Sequence, residues 1–185
     1  MLAVHVLPMV FFSRRTQLLG QFAMGMIMVY ATAHTVYMLV PGYGPVKFLA
    51  DQYQHELPSG FWLDAVLNAV NSGGAQKDIF PSLHTAGPLF IALFSFRHRD
   101  KLPFKYTWPL VAFFSANIII ATMFLRWHYL IDVLAGIALS TTGFFLAGIV
   151  SPRELEYREH NGLGPIWMPI NLRPWTRTEP DREPS

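Results

Sequence analysis

The sequence predicts an all-α fold: a polytopic membrane helix bundle of about four transmembrane helices plus a short N-terminal apolar helix. Three observations predict it. Hydrophobic residues make up 52% of the 185 and charged residues only 14%, against about 25% charged in soluble domains. Mean hydropathy is +0.29. Apolar stretches long enough to cross a bilayer, which takes about 20 residues, recur along the chain.

The first such stretch is Gln17 to Val40. The second runs from Pro81 to about Phe96 and is short, with Gly87 and Pro88 placed to bend it. From Thr107 to Val150 the chain is apolar for 44 residues apart from an island at Arg126–Asp132. One helix of that length would far exceed the membrane, so the stretch divides into two spans that turn within Met123–His128. Residues 17–150 therefore form the transmembrane domain. Residues 1–16 are a short apolar segment, with Met1 to Phe12 too short to span. Residues 151–185 are rich in Pro, Arg and Glu and read as a partly disordered cytoplasmic tail. Ser13-Arg14-Arg15 before an apolar run has the outline of a twin-arginine leader, but such leaders begin polar and this chain begins apolar.

Basic residues set the orientation. Arg14 and Arg15 precede the first span, Arg97, Arg99, Lys101 and Lys105 lie between the second and third, and Arg153 and Arg158 follow the fourth. With four crossings all three groups fall on one side, which is then cytoplasmic. The loop from Pro41 to Ile79 holds Lys47 and Lys77 against Asp51, Glu56, Asp64 and Asp78, as an exterior loop should. The expected location is an integral position in the bacterial inner membrane. The formal charge of +2 is too small and dispersed for a nucleic-acid partner. The absence of cysteine excludes disulfides and thiolate metal sites.

Two polar islands then sit together at the outer boundary: Phe80-Pro81-Ser82-Leu83-His84-Thr85 and Arg126-Trp127-His128-Tyr129-Leu130-Ile131-Asp132. Ionisable groups beside hydrophobic spans are costly and mark function by default. His128 and Asp132 are four apart, on one helix face. A carboxylate there can fix the imidazole tautomer and leave the other nitrogen free as nucleophile or base, or it can simply brace the end of a span. Pro81 suits the first turn of a helix, whose open N–H groups form an anion site beside Ser82. His84 in that turn is placed to protonate a leaving oxygen. Arg126 and Lys77 flank the islands and supply positive charge, although Arg126 could instead snorkel to lipid headgroups.

The two islands resemble the second and third signatures of the type 2 phosphatidic acid phosphatase superfamily. Pro41-Gly42-Tyr43-Gly44-Pro45, ahead of the long outer loop, is similar to a segment of the inositol phosphorylceramide synthase branch. The resemblance covers about Pro41 to Gly148. It implies that His128 forms a phosphohistidine, that Asp132 orients it, that His84 protonates the departing alcohol and that Ser82 contacts phosphate. It also implies that no metal or other cofactor takes part, and that membrane lipids, as phospholipid or lipid phosphate, are the partners. The first signature, a lysine with an Arg-Pro pair, is missing, and Thr122 stands where an arginine is expected. The family core has six spans against the four counted here, so a shortened chain or a homo-oligomer completing the core stays open.

The expected function is a membrane lipid phosphatase or phosphotransferase, with water or a lipid alcohol as acceptor. Two alternatives stand beside it. His84, His128 and Asp132 also form a two-histidine, one-carboxylate set of the kind that binds iron. A non-catalytic relative, or a haem anchor using His34, is the other.

Overall fold

A computed structural model describes residues 16–54, 60, 61, 63, 64, 68 and 78–164. All regular structure among them is helical. Helix α1 is Thr16–Leu39, α2 is a single turn at Pro45–Phe48, α3 is Leu83–Arg97, α4 is Phe104–Phe124 and α5 is Leu130–His160. A 3-10 turn at Ala50–Gln52 follows α2. Helices α1, α4 and α5 are long and apolar enough to cross a membrane. Helix α3, with 15 residues, spans about 22 Å, short of the roughly 30 Å hydrocarbon core.

The helices meet through small residues and rings. A Cβ at Gly25 of α1 would lie 2.2 Å from the Phe90 ring of α3, and one at Gly143 of α5 would lie 2.7 Å from Val29 of α1. Bare backbone at these points lets the helices close up where lipid supplies no hydrophobic drive. Phe22, Phe90 and Phe94 fill the resulting centre, with the Phe22 and Phe94 rings edge-to-face at 5.0 Å. At the far end of α3, His98 is buried against the Phe94 ring at 4.5 Å. Burial, followed by the charge of Lys101, lowers its pKa to about 4.

The predicted apolar stretches coincide with α1, α3, α4 and α5, of which α1, α4 and α5 have spanning length, and the predicted turn falls at Leu125–Tyr129. Pro81 is a correction. It lies outside α3 with Ser82 as the N-cap, because the Ser82 hydroxyl accepts from the Thr85 N–H at 3.2 Å. The tail expected after Val150 begins later, since α5 continues through Pro152 to His160. A Glu154–Arg158 ion pair at i,i+4 spacing supports that extension. At 31 residues α5 is about 46 Å long, so its last turns project past the hydrocarbon. Residues 1–15 and 165–185 lie outside the described residues, and with them the apolar N-terminal helix and most of the tail.

Candidate active site

The C-terminus of α1 and the N-termini of α3 and α5 share one end of the bundle. Tyr37, near the end of α1, donates its hydroxyl to the Pro81 carbonyl at 2.8 Å and accepts from the Leu83 N–H at 3.3 Å. The Ser82 N–H donates to the Asp132 carbonyl at 3.0 Å, which ties the start of α3 to the first turn of α5. Gly136 permits this approach. A Cβ there would lie 2.6 Å from the Ser82 carbonyl oxygen and 3.0 Å from Thr85 Cβ.

The α4–α5 turn carries the second island. The Thr122 carbonyl accepts from the N–H groups of Trp127 and His128 at 3.0 and 3.3 Å, and its buried side chain donates back to Ile119. Arg126 takes a positive φ of 60° to make the reversal. The Pro41–Pro45 segment packs against it. The Val46 N–H donates to the Arg126 carbonyl at 2.7 Å, and a Cβ at Gly44 would lie 2.4 Å from the Trp127 carbonyl oxygen.

Together these contacts bring two imidazoles side by side, their planes tilted by 53°. His84 Nδ1 lies 3.3 Å from His128 Nε2. His128 is buried at 5% exposure, while His84 is exposed, with the Trp127 ring beside it at 6.0 Å. Behind His128, its Nδ1 lies 3.6 Å from Asp132 Oδ2, beyond hydrogen-bond length. Asp132 Oδ2 accepts from the Tyr129 N–H at 2.8 Å, so one carboxylate caps α5 and faces the imidazole. His128 sits in the turn between two spans. Burial lowers its pKa to about 4, with the neighbouring His84 as the second cause, so it is neutral at pH 7.

The other predicted residues fare differently. Ser82 is fully buried and its hydroxyl is engaged as the N-cap, facing inward. The first turn of α3 is less open than expected: Leu83 and Thr85 N–H groups have partners, and only the His84 N–H lacks one among the described residues. Arg126 is half-buried, with its guanidinium 3.8 Å from the Tyr53 ring centroid. Lys77 lies outside the described residues. His34 bonds the Tyr30 carbonyl one turn back at 2.7 Å, as an interfacial histidine would. No three His, Asp or Glu side chains converge as ion ligands among the described residues, so the two-histidine, one-carboxylate set is not assembled.

Tyr37 and Gly136 went unread as site residues. Tyr37 gives no local signal, because both its partners are more than forty residues away. Gly136 ends the Asp132-Val133-Leu134-Ala135-Gly136 run, one turn after the carboxylate, and that spacing was the available clue.

The family model of the PAP2 superfamily matches residues 1–146. No curated protein and no solved structure matches the chain. His84, His128 and Asp132 all fall inside the matched span, which covers most of the sequence. The chain therefore belongs to the PAP2 superfamily, and with its membrane-spanning helices that membership supports a membrane phosphatase-type enzyme.

Proposed function

We propose that the protein is an integral membrane enzyme that cleaves a lipid phosphate ester through a phosphohistidine at His128, on the extracytoplasmic side. The observation that carries this reading is the contact between His84 Nδ1 and His128 Nε2 at 3.3 Å, with Asp132 behind His128. An Nδ1–H directed at the Asp132 carboxylate leaves the Nε2 lone pair pointing towards His84. Phosphate enters as the exposed His84 ring swings aside, and Nε2 attacks phosphorus. The phosphorus–oxygen bond breaks, and the leaving alkoxide takes a proton from His84, which enters the step as the imidazolium that the charge of the bound phosphate favours. His84, now neutral and proton-poor, draws a proton from the acceptor, whose oxygen attacks the phosphohistidine and frees His128.

Water as the acceptor makes the enzyme a phosphatase. A lipid alcohol makes it a phosphotransferase, the outcome that the resemblance of Pro41–Pro45 to the inositol phosphorylceramide synthase branch implies. Arg126 is the described cation nearest His128 in sequence, and we assign it, with Lys77, to the phosphate oxygens. Its guanidinium also lies over the Tyr53 ring. The Ser82 backbone and hydroxyl organise the turn that presents the His84 N–H to the same oxygens. The basic residues Arg97, Arg99, Lys101 and Lys105 lie at the opposite end of the bundle, which supports a cytoplasmic assignment for that end.

The test is turnover in proteoliposomes with phosphatidate, a prenyl pyrophosphate, or phosphatidylinositol plus ceramide. Release of inorganic phosphate identifies hydrolysis, and a new phosphorylated lipid identifies transfer. His128→Ala is expected to abolish both. Undiminished turnover by that variant would refute the reading.

A further inference from the structure

Helix α4 is the most exposed of the spanning helices, with only 17% of its apolar window buried. It packs chiefly against α3, through Phe104, Val111, Ser115 and Thr122. The opposite face carries Tyr106, Leu110, Phe113, Asn117, Ile120 and Phe124, all exposed. Their spacing is 4, 3, 4, 3 and 4 residues, the a/d repeat of a left-handed two-helix seam. The face buried on α3 lies across the helix from that seam.

Asn117 is out of place on a lipid-facing surface. It lies seven residues before the end of α4, about 10 Å inside the span. One carboxamide N–H donates to the Phe113 carbonyl one turn back at 2.8 Å. Its Oδ1 and second N–H have no partner among the described residues. Polar side chains inside membranes face protein rather than lipid, and amides join helices there. A carboxamide is self-complementary, since the same group donates and accepts. An asparagine at an a position of a heptad seam is also the device that fixes two helices in register.

We propose that α4 pairs with α4 of a second copy of this chain, about a two-fold axis passing beside Asn117. The two Asn117 carboxamides then exchange hydrogen bonds, and Phe113 and Ile120 pack above and below them. The interface is isologous, so it closes as a dimer and leaves the His84–His128 end of each copy open. This pairing stands independently of the reaction proposed above.

The chain contains no cysteine, so single-cysteine variants report position cleanly. The purified full-length protein is reconstituted in liposomes at high lipid excess and oxidised. Phe113→Cys and Ile120→Cys are expected to cross-link between copies, while Ala112→Cys and Ile119→Cys, towards the α3 side, are not. Adding Asn117→Leu to Phe113→Cys should raise the dimer dissociation constant about 3- to 30-fold. A monomer at every protein density would overturn the proposal, as would cross-linking that favours positions 112 and 119. Because the first four variants retain Asn117, a failure of Asn117→Leu to fold leaves the test decisive.

Discussion

Replacing Asp132 by asparagine keeps its shape and removes its charge. Oδ2 accepts the Tyr129 N–H at 2.8 Å, and it faces His128 Nδ1 at 3.6 Å. The asparagine carbonyl can take the place of Oδ2, so the α5 cap survives and stability should change by no more than about 0.5 kcal/mol. Nδ1 then still faces an oxygen, but a neutral one. The lost charge is the one that stabilises the cationic imidazole formed when Nε2 attacks phosphorus. Where the exchange also turns the tautomer of a directly bonded imidazole, it costs about 10,000-fold in kcat. With the tautomer kept and the separation at 3.6 Å, the expected loss here is about 10- to 1,000-fold. The assay is phosphate release in proteoliposomes alongside acid-labile 32P trapped on the protein, with thermal unfolding in detergent as the control. Asp132→Ala should lose the cap as well and unfold more readily, by about 1 kcal/mol. Wild-type turnover in Asp132→Asn would refute a role for the carboxylate charge. So would a loss of activity fully accounted for by unfolding.

Further outcomes follow from the same geometry. His84→Gln should slow cleavage of alkyl phosphates about 100- to 10,000-fold while sparing p-nitrophenyl phosphate, whose leaving group needs no proton; equal losses on both would argue against an acid at this position. Because His128 titrates at about 4, its lone pair is lost only below that value, so the acid limb of kcat should lie well under pH 6.5. Stability carries the same sign: the unfolded chain binds protons at His128 and His98 first, so the melting temperature should fall between about pH 6.5 and 4 and not between 7 and 8. Gly136→Ala presses a methyl onto the Ser82 carbonyl, which should cost about 1–3 kcal/mol and lower kcat through the displaced His84; an unchanged melting curve would count against the tight α3–α5 approach. Tyr37→Phe leaves the Pro81 carbonyl and Leu83 N–H without their hydroxyl partner, which should destabilise by about 1–3 kcal/mol.

Local sequence carries the helices and the position of the chemistry along them. Apolar runs are a local property, so α1, α3, α4 and α5 are legible, α3 as the short one, and so is the reversal near Arg126 that an over-long stretch requires. The i,i+4 relation of His128 and Asp132 is likewise local. Tertiary packing sets how close His84 comes to His128, because that distance depends on Tyr37, Gly136 and Thr122 holding four helix ends together across more than forty residues of chain. It also decided that the Ser82 hydroxyl faces inward as a cap and that the Arg126 guanidinium rests on Tyr53, since a side chain's partner is set by packing, which no local pattern records.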